Sequence, residues 1–203
     1  MEKPAATKPI MRELVFATNN AHKTEEVRQL LAGQYQVLNL KDIGCETDIP
    51  ETGNTFAENA RLKTSFVETH YHMDCFADDS GLEVQALNND PGIYSARYAG
   101  KRGDRENLEL LLKNMEGQSN RKARFKTLIS LVQQNQHYFF EGVINGTITE
   151  QPSGAAGFGY DPIFVPDGYD ITFAEMSMAQ KNEISHRAQA MRKLISFLKT
   201  AAE

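Results

Sequence analysis

Phe76-Ala77-Asp78-Asp79-Ser80-Gly81 runs directly into the apolar Leu82-Glu83-Val84-Gln85-Ala86-Leu87, and the rest of the chain is organised around this junction. Asp-Asp-Ser-Gly is expected to be an acidic turn, entered from a hydrophobic strand end and left by a strand from Leu82. Neighbouring carboxylates raise one another's pKa, so two of them here require a cation close by. Read alone, the tetrapeptide is better explained as an ordinary solvated turn, which is what most such tetrapeptides are, and other stretches change that balance.

With 203 residues and 40% hydrophobic content, the chain is long enough for one sizeable domain. Residues 1–9 read as a loose tail and 10–203 as a single domain, with Met11 an alternative start. The net charge of -5 argues against nucleic-acid binding, which needs a basic surface to displace counterions from phosphates. A small polyphosphate could still be held by a few local cations. Cys45 and Cys75 are too few for a disulfide framework and suit a reducing compartment. No apolar segment is long enough to cross a bilayer and the polar start lacks a secretory core, so a cytoplasmic protein without a membrane partner is expected.

Upstream, Leu14-Val15-Phe16-Ala17 has the composition of a buried strand, and Thr18-Asn19-Asn20-Ala21-His22-Lys23 leads from it into a helix with Val27, Leu30 and Leu31 on one face and Gly33 as its stop. A strand passing through a polar turn into a helix start presents unpaired N–H groups to an anion, and Lys23 adds a charge. A plain cap by Asn20 or Thr24 explains the same residues. Val37-Leu38-Asn39-Leu40 is a second strand and Ile49-Pro50-Glu51-Thr52-Gly53 a loop. Thr55-Phe56-Ala57-Glu58 then opens a helix in capping-box fashion, with Phe56, Leu62, Phe66 and Val67 as its apolar stripe. Glu51 therefore sits just before a helix start, where a carboxylate can ligate a hard cation. His70, His72 and Cys75 have no matching second pair, so zinc is not expected.

Downstream, Asp104 is expected to cap a helix whose Leu108, Leu111, Leu112 and Met115 face a core, with Gly117 ending it. Alternation from Ala123 to Leu131, a short Gln133–Gln136 connection and a β-prone run from Tyr138 read as a hairpin. Asn145-Gly146 is a further turn signal. In Gly154-Ala155-Ala156-Gly157-Phe158-Gly159-Tyr160-Asp161-Pro162 glycines bracket a Phe ring, as presentation to a flat ligand would need, although a flexible connector is the plainer reading. Ser177 and Ser185 look like successive N-caps. Arg187, in the first turn of the last helix, is on the wrong side of the helix dipole, so something other than helix stability keeps it there.

Taken together, Phe16 to Lys23, Glu51-Thr52-Gly53, Phe56 to Lys63, Ala77 to Leu82, Pro91 to Gly100, Gly157 to Phe164 and Lys181 to Arg187 closely resemble the inosine triphosphate pyrophosphatase family, over nearly the whole chain after Met11. The resemblance implies an α/β fold: a mixed twisted sheet with flanking helices, in two lobes around a central cleft, in a homodimer. It implies Mg²⁺-dependent hydrolysis of ITP, dITP and XTP between the α- and β-phosphates, giving nucleoside monophosphate and pyrophosphate. Carried over by position, Thr18, Asn19, Asn20, Ala21, His22 and Lys23 would hold the phosphates. Asp79 would be the catalytic acceptor and a Mg²⁺ ligand with Glu51, and Ser80 would touch substrate. Phe158, Gly159, Tyr160, Asp161, Lys181, His186 and Arg187 would complete the nucleotide site.

The residue chemistry agrees. Phosphoryl transfer rests on positioning and charge neutralisation, for which carboxylates holding Mg²⁺ and a few cations suffice, and a carboxylate by the metal can take a proton from the attacking water. Hypoxanthine and xanthine show an acceptor at C6 where adenine shows a donor, and Arg187 can only donate. Guanine shares that oxygen, so rejecting GTP must depend on its 2-amino group. Asn19 and His22 stand where the commonest family loop has glycine, a mild change for Asn19, which tolerates left-handed backbone. Two other readings fit parts of the pattern: a Maf-like pyrophosphatase of modified pyrimidine nucleotides, and a nucleotide-binding module without turnover.

Overall fold

The computed structural model describes residues 11–200; the expected tail at 1–9 lies outside the described residues. Leu14, Val15 and Phe16, none more than 1% exposed, form the inner half of β1 (Arg12–Phe16). Side chains buried this fully contribute about 1.5–3 kcal/mol each. β1 is parallel to β2 (Tyr35–Asn39) on one side and to the start of β3 (Cys75–Val84) on the other. The crossovers are α1 (Ala21–Leu30) and α2 (Phe56–Tyr71). β4 (Lys122–Gln133), β5 (Gln136–Ile148) and β6 (Phe164–Pro166) then add antiparallel neighbours, in the order β2-β1-β3-β4-β5-β6. α3 (Asp104–Asn114), α4 (Met178–Ile184) and α5 (His186–Thr200) complete the chain. The expected mixed sheet with flanking helices is what the chain forms.

The acidic junction is strand. Asp78, Asp79, Ser80 and Gly81 lie inside β3, paired with Ile129, Leu128, Thr127 and Lys126 of β4. The pairing runs from Cys75↔Val132 to Val84↔Ala123, and that continuous ladder overrides the poor strand propensity of Asp, Ser and Gly. Asn145 and Gly146 are likewise inside β5, Gly146 being flanked by Ala123 and Pro166. The hairpin turn falls at Gln134 and Asn135, with φ of 51° and 62°, as a tight primed turn requires.

Smaller corrections concern caps and stripes. Thr55 caps α2 by accepting from Glu58 N at 3.1 Å, but Glu58 reaches back to Asn54 N at 2.6 Å and not to the cap itself. Leu62 is exposed, and Asn59, Ala60 and Thr64 take its place in the buried stripe. Leu30 is also exposed, while Val27 and Leu31 are buried. Gly103, not Asp104, is the N-cap of α3. Ser177 forms a full capping box with Gln180, and Ser185 Oγ accepts from Ala188 N at 3.2 Å.

Two apolar cores flank the middle of β3 on its Phe76 face. One gathers Leu14, Phe16, Val27, Phe76 and Leu194; the other gathers Leu82, Leu111, Phe125, Phe164 and Phe173. Between Phe76 and Leu82 that face carries Asp78 and Ser80 in place of apolar side chains. β1 pairs with β3 only as far as Phe16↔Phe76, so the two strands part where the acids begin. Where a parallel strand ends beside a longer neighbour, a crevice opens at its carboxyl end.

Candidate active site

A cleft of about 390 Å³ opens there, within the usual range for a small-molecule site. Thr18, Asn19, Asn20 and Lys23 line one wall, Glu51, Asp79 and Ser80 the floor, and Phe158 to Asp161 with Lys181, His186 and Arg187 the far wall. Residues separated by most of the chain are thus brought together. Ala21 starts α1 on an exposed position outside this lining, and the side chain of His22 lies outside the described residues.

At the β1–α1 junction Asn20 is used as the helix cap, its side chain accepting from Lys23 N at 3.1 Å. Thr18 Oγ1 accepts from Asn20 N at 3.1 Å, so both side chains shape the loop. Lys23 turns inward and its Nζ bonds both carboxylate oxygens of Asp78, at 3.0 and 2.9 Å. Arg187 Nε approaches Asp78 from α5 at 3.5 Å. This pairing supplies the reason, beyond helix stability, for a cation in the first turn of α5. Burial alone would raise the Asp78 pKa, but Lys23, then Arg187 and Lys63, outweigh it and hold the carboxyl well below the usual carboxylate range.

Asp79 behaves oppositely. Burial raises its pKa and Glu51 adds to the rise, with Lys63 opposing. Its oxygens accept from Asn59 Nδ2 and from Ser80 N, each at 3.0 Å. Glu51 is held by Lys63 Nζ at 2.8 Å and by Arg97 Nη1 at 3.3 Å. Although burial works against its charge, Lys63 outweighs that effect and lowers its pKa. Ser80 Oγ lies 3.1 Å from Asp78 Oδ2 and 2.7 Å from Thr127 Oγ1.

The far wall is built around Asp161, which accepts from Phe158 N at 2.9 Å and from Lys181 Nζ at 2.6 Å. Gly157 has φ of 80°, a backbone that side chains resist, and this bend turns the loop so that Phe158 stands 39% exposed at the cleft. Lys181 Nζ and Arg187 Cζ lie 4.9 and 5.6 Å from the centroid of the Phe158 ring. Tyr160 belongs to the core, its OH donating to Ser95 O at 2.9 Å. His186 stacks on Phe125 at 4.8 Å. Burial, with Arg187 and Lys181 nearby, pushes its pKa well down, so the ring is neutral at pH 7.

Two contributors escaped the sequence reading. Asn59 and Lys63 are one turn apart on α2, within the pattern of inward positions marked by Phe56, Ala60, Thr64 and Val67. An amide and an amine recurring along an otherwise inward face were the available signal.

With two carboxylates in the floor, cations on both sides and a ring at one end, the cleft can hold an anion and a flat base together. The model of the Ham1 family matches residues 14–197. The dITP/XTP pyrophosphatase of Flavobacterium psychrophilum is 50% identical over 188 residues, covering 92% of this chain and 99% of that protein. That of Porphyromonas gingivalis is 48% identical over 190 residues, covering 93% and 98%. The solved structure of the Staphylococcus aureus Ham1 protein superposes with a TM-score of 0.88 at 40% identity, covering 94% of this chain and all of that one. The pyrimidine-nucleotide and silent-binder readings gain nothing from these likenesses. With the family model and half-identical relatives both spanning nearly all of it, the chain belongs to the Ham1 family, as an enzyme of the nucleoside triphosphate pyrophosphatase class.

Proposed function

We propose that the chain hydrolyses the deaminated purine nucleotides dITP, XTP and ITP to the monophosphate and pyrophosphate, keeping them out of the nucleotide pool. The observation that carries the reading is the opposite treatment of two adjacent acids: Asp78 is kept ionised as counter-ion to Lys23 and Arg187, and Asp79 is raised in proton affinity beside Glu51 in the cleft floor. A carboxylate of raised pKa suits a general base. In this mechanism the water oxygen attacks the α-phosphorus, its proton passes to an Asp79 carboxylate oxygen, and the α–β bridging bond breaks to release pyrophosphate. Lys23 and Lys63 neutralise phosphate charge, and the N–H groups at the start of α1 donate to a phosphate oxygen.

Glu51 and Asp79 offer oxygen donors only, and two carboxylates fit Mg²⁺, which keeps water and substrate phosphates for its other positions. When bound, the ion supplies charge neutralisation at the phosphates. Phe158 stacks on the purine and Arg187 donates to the C6 oxygen. The homodimer and the cytoplasmic setting are part of the same proposal; among the described residues no helix is long and apolar enough to cross a membrane.

The decisive experiment is phosphorus NMR of the purified protein with Mg²⁺ and, separately, dITP, XTP, ITP, GTP and ATP. Pyrophosphate appearing quickly from the first three and slowly from the last two is the expected result. Orthophosphate would place the cut at the terminal phosphate and overturn the mechanism.

A further inference from the structure

Asn59 is fully buried near the start of α2, and it uses both ends of its amide to join the two acidic segments of the cleft. Its Nδ2–H donates to Asp79 Oδ2 at 3.0 Å, and its Oδ1 accepts the backbone N–H of Gly53 at 2.8 Å. Asp79 is on the central strand and Gly53 stands two residues past Glu51, so one side chain spans the strand carrying one acid and the loop carrying the other. A reversed amide would set oxygen against carboxylate and N–H against N–H, so both contacts select the same orientation. The loop comes in so close that a Cβ at Gly53 would lie 2.6 Å from Glu58 Cβ and 2.9 Å from Asn59 Oδ1. Lys63, one turn along, repeats the link by joining Glu51 Oε1 at 2.8 Å to Asp78 O at 2.6 Å.

We propose that Asn59 is a positioning residue that locks the Glu51–Gly53 loop to the Asp79 carboxylate, so that the two acids face one cation at a fixed separation. This rests on the hydrolase reading given above. Ser80 N and Asn59 Nδ2 occupy one lone pair on each Asp79 oxygen, leaving the remaining lone pairs for ligation. A ligating carboxylate fixed from behind by a hydrogen bond binds metal better than one free to rotate.

The test compares wild type, Asn59→Ala and Gly53→Ala. Mn²⁺ binding is followed by electron paramagnetic resonance on nucleotide-free protein, and kcat and KM for dITP are measured at saturating Mg²⁺. Circular dichroism melts report folding. Mn²⁺ affinity is expected to fall about 10- to 100-fold in both variants. kcat should fall with it while KM for dITP changes little, since Lys23, Phe158 and Arg187 are untouched. Unchanged Mn²⁺ affinity and kcat in folded Asn59→Ala would overturn the proposal. If that variant does not fold, Gly53→Ala decides alone, because its added Cβ forces the loop and the Asn59 amide apart and so breaks the same lock from the loop side. A failure of the hydrolase reading looks different: wild type would then release no pyrophosphate from dITP or XTP, whatever its Mn²⁺ affinity.

Discussion

Asp78 and Asp79 are consecutive on β3 and face opposite sides of the sheet, Asp78 meeting Lys23 and Arg187 and Asp79 meeting Asn59 of α2. Strand alternation alone produces this separation. It lets two like charges sit side by side in sequence with different hydrogen-bond partners, Lys23 for Asp78 and Asn59 for Asp79. Asp78 holds Lys23 and Arg187 in place; Asp79 is left with a raised proton affinity at the cleft floor.

If Asp79 is the base, Asp79→Asn removes the proton acceptor while nearly preserving shape. Loss of a general base costs about 10²- to 10⁴-fold in rate, and loss of a metal-ligating carboxylate adds to it. Stopped-time phosphorus NMR with dITP is expected to show at least that fall. The melting midpoint should stay within about 4 °C of wild type, because the variant sheds a burial-disfavoured charge as it loses a hydrogen-bond acceptor. Near-normal turnover would remove Asp79 from the catalytic role.

Asp78→Asn should instead act on stability. Lys23 and Arg187 have side chains 18% and 9% exposed, and removing their shared counter-ion leaves buried charge uncompensated, at a cost of about 3–5 kcal/mol. Urea unfolding at pH 7 measures this. Added pyrophosphate is expected to restore more stability to the variant than to wild type, since an anion can replace the missing carboxylate. The sign with pH follows from the depressed folded pKa: the Asp78 contribution is complete above the ordinary carboxylate range and is lost as pH falls through and below it.

The architecture was legible where periodicity was strong and where the quoted stretches match the family; the strand identity of residues 78 to 81 was not. Asp-Asp-Ser-Gly has turn chemistry locally, and only the ladder to Thr127, Leu128 and Ile129, far along the chain, makes it strand. The same holds for Asn145-Gly146, both paired with β4 and Gly146 also with β6. Glu51, Asp79 and Arg187 were readable because their residue types state their chemistry. Asn59 and Lys63 were not, because an inward amide or amine has meaning only once its partner is known, and those partners lie on the Glu51 loop and on β3.

Arg187 carries two duties, pairing with Asp78 and standing 5.6 Å from the Phe158 ring centroid. Arg187→Ala is therefore expected to narrow the ratio of kcat/KM for dITP over dATP. Loss of the donor–donor mismatch with adenine corresponds to about 1–3 kcal/mol, or roughly 5- to 150-fold. Phe158→Leu provides the contrast: KM should rise for both nucleotides alike, because a ring stacks on any purine. An unchanged ratio in Arg187→Ala would assign base reading to another group.

His186 gives a signature that needs no substrate. Its ring is stacked on Phe125 and only 5% exposed, and burial, with Arg187 and Lys181 close by, pushes its pKa well below 6.5. The unfolded chain therefore binds a proton near pH 6.5 that the folded chain refuses, so stability falls as pH drops below that value. Between pH 7.5 and 5.5 a single such group removes about 1.4 kcal/mol. Urea midpoints of wild type and His186→Gln, measured at both pH values, isolate the effect: the wild type should lose that much more than the variant. Equal losses would show that His186 takes up its proton in the folded protein, which would place a further charged donor in the far wall of the cleft.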